Sequence, residues 1–342
     1  MIFQITWFIL WGVLWAVYFM LDGFDFGVSI LQPFIAKNDA ERRLVLNSIG
    51  PVWDGNEVWL ITAGGATFAA FPTTYAVMFS ALYTPLFIIL CAIIVRGVSI
   101  EFRGKSENPL YRRAWDWAFV VGSFVPALLF GVAFGNIFQG LPMDASGYHG
   151  TLFTLLNPYG ILTGALFVLL FAVHGALWLS VRTEGEILER ARGMAKTLWP
   201  VLTVVAVAFL VATAFATRLY DNYLSMPFLA PLPVLAVLAL LAAGYFIFKG
   251  KSAHAFVSSC VTILMVTFTG VAGLYPNLIP SSIDTKYSLT IFNSSSSQYT
   301  LTIMTVVALL FVPIVILYQA WTYKVFSDRI SVEGIARDED AY

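Results

Sequence analysis

The sequence is poor in charged residues and in cysteine. Only 11% of its 342 residues are Asp, Glu, Lys or Arg, whereas 59% are hydrophobic. A soluble domain carries about a quarter charged residues, so this composition excludes a water-facing surface and predicts an integral membrane protein. The net charge of −1 comes without a basic arm or an acidic tail, which argues against nucleic acid as a partner. The two cysteines, Cys91 and Cys260, lie in apolar runs and form no metal-binding spacing.

Long uncharged runs predict nine transmembrane helices, because a helix needs about 20 apolar residues to cross the hydrocarbon core. The run at 58–95 is too long for one crossing and is interrupted by Pro72, so we predict a helical hairpin there. We expect the first helix to be retained, since no basic segment of a cleaved signal precedes it. The prediction is a single all-α transmembrane domain over 1–342, with helices near 2–36, 44–71, 74–96, 116–139, 157–180, 196–218, 227–248, 253–276 and 300–325.

The basic residues lie almost entirely on one side of the predicted membrane. Of the 19 Lys and Arg residues, only Arg218 and Lys286 fall in the even-numbered loops. The others are assigned to the odd-numbered loops and the C-terminal tail, with Arg96 counted in the third loop. By the positive-inside rule that side is cytoplasmic, so the N-terminus is predicted outside and the C-terminus in the cytoplasm.

Four acids lie within the first two predicted helices, where an ionisable side chain by default marks a pathway or a partner. Asp22 pairs with Asp25 and Asp54 with Glu57, and the i, i+3 spacing of each pair predicts a shared helix face. The helical rise places Asp25 and Asp54 about 15 Å, and Asp22 and Glu57 about 20 Å, from the basic end. We interpret Asp25 and Asp54 as relay acids of a proton path from the cytoplasm, with Asp22, Asn56 and Glu57 as polar neighbours.

A structural interpretation of the same acids stays open. They can pair with Arg or Lys, or accept backbone hydrogen bonds where Gly23, Gly27, Gly50 and Pro51 disturb the helices. The acids indicate a functional bundle, but they do not identify a substrate.

His174 is the one histidine predicted deep inside a span. A b-type haem with two axial histidines needs a second histidine at similar depth, which the sequence lacks. A hydrogen-bonded structural role is therefore favoured, and His174 as a sole haem ligand is the weaker candidate. Most of the ten tryptophans fall near span ends, as interfacial anchors do, whereas Trp53 and Trp59 stand beside the acids. We predict no metal site and no catalytic residue in this chain.

Motifs along most of the chain resemble subunit II of cytochrome bd quinol oxidases. They begin with Asp22-Gly23-Phe24-Asp25 and Trp53-Asp54-Gly55-Asn56. They continue to about residue 300 through Val58-Trp59-Leu60-Ile61-Thr62-Ala63-Gly64-Gly65, Trp115-Asp116-Trp117, Gly122-Ser123-Phe124, Gly131-Val132-Ala133-Phe134-Gly135-Asn136, Asn157-Pro158 and Ser296-Ser297-Gln298.

The resemblance implies two four-helix bundles plus one peripheral helix, packed against a related subunit I in an obligate heterodimer. It implies that subunit I carries haem b, haem d and the quinol site, and that this chain binds no haem alone. The complex would oxidise quinol and reduce dioxygen to water in a bacterial cytoplasmic membrane. A small single-helix subunit and a bound structural quinone or lipid remain open.

Residue by residue, the resemblance assigns Asp54 to the aspartate that feeds protons toward haem d, and Asp25 to an acid lining the same route. Trp53 and Asn56 belong to the same motif, whereas Glu57 is not an acid in every relative, which puts an essential role for it in doubt. Two alternatives stay open. A proton-coupled secondary transporter predicts an inverted repeat, which the sequence does not show. A scaffold subunit would hold subunit I without conducting protons.

Overall fold

The computed structural model describes residues 1–337, which fold almost entirely into helices. The long helices are α1 Ile2–Ile35, α3 Trp53–Ala70, α5 Tyr83–Phe102, α6 Pro109–Gln139, α8 Pro158–Arg182, α9 Gly185–Ala216, α11 Pro231–Phe248, α12 Ser252–Leu274 and α13 Gln298–Val325. The shorter helices are α2 Asp39–Ile49, α4 Pro72–Ala81, α7 Leu152–Leu155, α10 Leu219–Ser225 and α14 Val332–Arg337, with 3-10 turns at Arg103–Lys105, Pro227–Leu229 and Thr285–Tyr287. Two small hairpins pair β1 Met143–Asp144 with β2 Gly147–Tyr148, and β3 Asn277–Ile279 with β4 Leu289–Thr290.

Eight helices within residues 1–337 are long and apolar enough to cross a membrane, which confirms an all-helical membrane protein. The predicted continuous helix 44–71 is wrong. It divides into α2 and α3, because Pro51 has no N–H to donate and its ring obstructs the preceding turn. The predicted helix 74–96 also divides, into α4 and α5 at Leu82, three residues before Pro85. Since α5 continues to Phe102, Arg96 lies inside this helix and not in a loop.

Helix α1 lies at the centre of the fold and packs against α3, α6, α8 and α12. Its contact with α8 is backbone to backbone, since a Cβ on Gly27 would lie 1.8 Å from the carbonyl oxygen of Phe171. Small residues at such crossings allow membrane helices to approach closely. By contrast, α13 packs on α1 and α3 and buries only Leu301, so it is peripheral to the described part of the chain.

The serine-rich segment at 276–299 packs over one end of the helices. The Ser296 N–H donates to the carbonyl oxygen of Ala70 at 2.8 Å, and its hydroxyl donates to that of Ala69 at 2.6 Å. The Thr74 hydroxyl donates to that of Ser294 at 2.8 Å, and the Gln4 amide donates to the Ser295 hydroxyl at 2.9 Å. These hydrogen bonds therefore hold the segment against α1, α3 and α4.

The opposite end carries an ion-pair network. Arg103 contacts Asp116 at 2.6 Å and Asp39 at 2.7 Å, and Arg42 contacts Asp116 at 2.9 Å. Nearby, hydrogen bonds from the Arg190 guanidinium hold the pKa of Glu41 below its ordinary value. The basic loops of the first half of the chain and the start of α9 therefore meet at one end of the bundle.

Candidate functional site

Two of the predicted acids share one buried arginine. Arg96 Nη1 of α5 lies 2.7 Å from Asp22 Oδ1 of α1, and Arg96 Nη2 donates to Glu57 Oε2 of α3 at 2.9 Å. The side chains of Asp22 and Arg96 are both 0% exposed. The guanidinium carbon lies 4.4 Å from the ring centre of Phe26, a distance typical of a cation–π contact. One cation therefore joins three helices.

Close packing of α5 against α6 fixes the position of Arg96. A Cβ on Gly122 of α6 would lie 2.7 Å from the Ala92 carbonyl oxygen and 2.8 Å from the backbone nitrogen of Arg96. On the other side, the Trp53 ring reaches within 3.1 Å of the place where a Cβ on Gly97 would stand. Trp53, predicted from its motif, thus packs against the residue that follows Arg96, and within residues 1–337 it shows no hydrogen bond to an acid.

Asp25 lies on a separate branch of the site. It is completely buried, and its Oδ2 accepts a hydrogen bond from Asn56 Nδ2 at 2.8 Å. Asn56 Oδ1 in turn accepts from the Tyr323 hydroxyl at 2.6 Å and from Gln319 Nε2 at 3.2 Å. The Trp59 indole donates to Gln319 Oε1 at 2.8 Å. A chain of direct hydrogen bonds thus connects α1, α3 and α13.

Asp54 stands apart from the other acids. Its side chain is exposed in a groove between α3 and α13, beside Gly55, Val58 and Tyr318, and it makes no ion pair within residues 1–337. The structure therefore separates Asp54 from Glu57, contrary to the shared face that their spacing predicted. Residues three apart differ by about 60° around a helix axis. At the edge of the bundle, that angle directs Glu57 toward Arg96 and Asp54 toward the groove.

The charges of the cluster do not balance. Asp22, Asp25 and Glu57 supply three carboxyl groups for the single guanidinium of Arg96. With every acid ionised the site would carry two net negative charges in a low-dielectric interior, which is strongly unfavourable. A bound proton relieves part of this excess, so the arrangement is chemically suited to take up and release protons.

Three residues of the site escaped the sequence analysis. Arg96 was counted as a loop residue, although the apolar Val98 and Ile100 that follow it were a signal that the helix continues. Gln319 and Tyr323 come from the last long helix and gave no local signal, because their contacts with α3 cross about 260 residues of sequence.

His174 makes hydrogen-bond contacts through both ring nitrogens. Nε2 lies 2.9 Å from the carbonyl oxygen of Met20, and Nδ1 lies 2.7 Å from the Ser259 hydroxyl. A carbonyl can only accept, so Nε2 carries the proton. The Ser259 hydroxyl that partners Nδ1 also lies 2.7 Å from the carbonyl oxygen of Phe256. The ring also stacks on Phe256 with 4.8 Å between ring centres. This geometry supports the structural role for His174. Within residues 1–337, no group of three or more His, Cys, Asp or Glu is placed to hold a metal.

Replacing His174 with Leu is expected to lower the unfolding midpoint while leaving the haem absorbance of the assembled complex unchanged. The variant loses two buried hydrogen bonds, each worth about 1 kcal/mol. Thermal unfolding and visible spectra of the purified complex measure the two quantities. Ser259→Ala removes one of the bonds and should show the smaller shift. Loss of a b-haem band from intact complex would instead make His174 a ligand.

The fold and this site define a class of protein: a multi-pass helical membrane subunit with acids and a base enclosed at its centre. Within that class, the chain matches the family model of cytochrome bd terminal oxidase subunit II over residues 3–326, and it belongs to that family. It is a subunit of a haem-containing bd oxidase complex, which implies a partner subunit I.

Relatives agree over nearly the full length. The chain is 40% identical over 326 residues to cytochrome bd ubiquinol oxidase subunit 2 of Bacillus subtilis, covering 95% of this chain and 96% of the relative. It is 37% identical over 372 residues to cytochrome bd-I ubiquinol oxidase subunit 2 of Escherichia coli K12, covering 98% and 97%. A chain in the structure of bd oxidase from Geobacillus thermodenitrificans superposes with a TM-score of 0.79 at 17% identity, covering 95% of this chain and 99% of that one. That superposition supports the fold.

Proposed function

We propose that this chain supplies the cytoplasmic proton path of a quinol oxidase whose redox centres lie on subunit I. The observation that carries the proposal is that Asp22 and Glu57 share the single cation of Arg96 while a third acid, Asp25, is buried one helical turn from Asp22, so carboxyl groups outnumber basic groups. Haem b, haem d and the quinol site are assigned to subunit I. The occupied ring nitrogens of His174 support that assignment.

The proposed topology has nine crossings. The α2–α3 pair forms the second crossing, in which the charged cluster lowers the hydropathy of α3. Helices α1 to α6 form one four-helix bundle and α8, α9, α11 and α12 the other, consistent with the contacts of α5 with α6, α8 with α9, and α11 with α12. Helix α13 is peripheral. The basic end carrying Arg42, Arg103 and Arg190 faces the cytoplasm, which places the N-terminus outside.

In the proposed path, protons pass from the cytoplasm to Asp25 and Asp22, and leave through the groove that holds Asp54. Asn56 and Gln319 connect Asp25 to that groove by direct hydrogen bonds. Amide groups do not titrate, so their part is to position Asp25, while the carboxyl groups hold the proton.

The Asp54 groove is proposed to face subunit I. An exposed carboxylate in contact with lipid tails is costly, so a protein surface is the expected cover for it. Neighbouring apolar side chains are strongly exposed on the same helices, with Ile61 73% and Tyr318 66% exposed. A second apolar groove, lined by Phe167, Phe209 and Val266 between α8, α9 and α12, is the proposed site for a structural quinone or a lipid.

Asp54→Asn tests the path at its outlet. The amide keeps the size of the side chain and removes the titratable proton, so we expect oxygen consumption to fall roughly tenfold, which is about 1.4 kcal/mol in the barrier. Oxygen uptake and membrane potential in liposomes containing the complex measure this effect. Thr62→Val, in the same groove, is the matched control and should retain the wild-type rate.

Family membership supports the oxidase over the transporter. The scaffold alternative instead predicts that Asp54→Asn leaves the rate unchanged. If the assembled Asp54→Asn complex consumes oxygen and builds potential as the wild type does, Asp54 is not a relay. That result would favour the scaffold interpretation for Asp54.

A further inference from the structure

A polar stripe follows the buried face of α1 toward the basic end of the bundle. It consists of Asp22, Asp25, Ser29 and Gln32, which are all at most 1% exposed. Spacings of three, four and three residues keep the four side chains on one helix face. The stripe extends about 15 Å along the axis. An interior stripe of this length in a membrane helix requires polar partners along its whole course.

Side chains of this stripe and its neighbours leave polar atoms unpaired. Buried polar atoms in native proteins are nearly always paired with protein or with ordered water. The atoms without a hydrogen-bond partner in the described part of the chain include Trp15 Nε1, Gln32 Nε2, Arg96 Nε and the Ser123 hydroxyl. They belong to α1, to α6 packed against it, and to α5, which reaches α1 through the Arg96–Asp22 ion pair. Buried water molecules are the usual partners of such atoms.

The stripe ends at a cavity on the basic side. Gln32 lines this cavity together with Arg42, Arg113, Asp116 and Trp117. The carboxylate of Asp116 is already engaged by Arg42 and Arg103. The unpaired amide of Gln32 therefore lies both in the wall of the cavity and at the end of the stripe nearest the basic side.

We propose that water fills this cavity and continues as an ordered file along the stripe, past Ser29 to Asp25 and Asp22, with Gln32 as the inlet. The inference deepens the proposed proton path and rests on it. Gln32 and Ser29 are about 4.5 Å apart along the axis, and Ser29 and Asp25 about 6 Å. The Ser29 hydroxyl donates to the backbone carbonyl oxygen of Asp25 at 2.7 Å, so it meets the file as an acceptor. One or two water molecules span each interval at ordinary hydrogen-bond lengths of about 2.8 Å.

On the other side of Asp25, toward Asn56, the polar groups contact one another directly. Asn56 donates directly to Asp25 and accepts directly from Tyr323, and it is not among the unpaired atoms of the described residues. Unpaired polar atoms therefore require water on the Gln32 side of Asp25, whereas direct side-chain hydrogen bonds bridge the side toward the Asp54 groove. This difference assigns the water-filled inlet to the Gln32 side.

Gln32→Leu tests the inlet in the intact complex reconstituted in liposomes. Leucine fills a similar volume without hydrogen-bonding groups, so we expect proton uptake and oxygen consumption to fall about tenfold with the haem spectrum unchanged. Gln4→Leu, the same change at the other end of α1, is the matched control and should leave the rate unaltered. Ser29→Ala is the second variant and should slow uptake even if Gln32→Leu assembles poorly.

A comparison with Asp25→Asn separates failure of the inlet from failure of the whole path. Slow turnover in Asp25→Asn with normal turnover in Gln32→Leu and Ser29→Ala would overturn the inlet and keep the proposed function. Normal turnover in all three would overturn both. A high-resolution map of the complex gives an independent test. Water density between Gln32 and Asp25 supports the file, whereas a lipid phosphate at Arg42 and Arg113 with no density beyond Gln32 contradicts it.

Discussion

Replacing Arg96 with Met will prevent most of the complex from assembling. The substitution leaves Asp22 and Glu57 in the interior without their cation. Removing one partner of a buried ion pair destabilises proteins by about 3–5 kcal/mol, which is a large part of a typical folding free energy. The yield of haem-containing complex and its unfolding midpoint in detergent measure the loss.

Compensating substitutions test whether uncompensated charge causes the loss of assembly. Arg96→Met combined with Asp22→Asn and Glu57→Gln removes the uncompensated charges, so assembly should largely return. Arg96→Lys keeps the charge but has no second terminal nitrogen with which to contact both carboxylates in the fixed guanidinium geometry. We therefore expect an unfolding midpoint between those of Arg96→Met and the wild type. Arg218→Met removes an exposed arginine and is the control with wild-type yield. Normal assembly and midpoint in Arg96→Met would show that Arg96 does not hold the acids.

The acids of the site were predictable because isolated charges stand out in apolar runs. Asp22 and Asp25 are found completely buried at the centre of the fold, and Glu57 is half-buried beside them on Arg96. His174 likewise makes hydrogen-bond contacts through both ring nitrogens, as expected for the structural role that the shortage of histidine favoured. In each of these cases the signal was local, since it depended only on the chemistry of the residue and its position within one helix.

The partners of the acids were not predictable, because they depend on contacts between distant helices. Arg96 at the end of an uncharged run has the same local pattern as an ordinary loop cation, and only the continuation of α5 to Phe102 places it inside. The separation of Asp54 from Glu57 has a similar origin. The angle between them follows from helix geometry, but its consequence depends on α13 packing beside α3.

Asp25→Asn is expected to slow oxygen consumption about a hundredfold while the haem spectrum and assembly stay intact. A positioned group that transfers protons typically contributes a factor of 10²–10⁴, and asparagine offers none at neutral pH. Oxygen uptake, proton uptake and membrane potential in liposomes measure the effect. Asp25→Glu restores a titratable group on a longer side chain, so partial recovery of turnover is expected.

The recovery by Glu separates proton transfer from support of the fold. A purely structural Asp25 serves Asn56 by accepting its hydrogen bond, and an asparagine at position 25 can still accept through its carbonyl oxygen. In that case Asp25→Asn would retain turnover, and the larger Asp25→Glu would be the more damaging change, because the site is completely buried. The two hypotheses therefore predict opposite orders of activity. Asp144→Asn, the same chemical change in the β1–β2 hairpin, should match the wild type under either one.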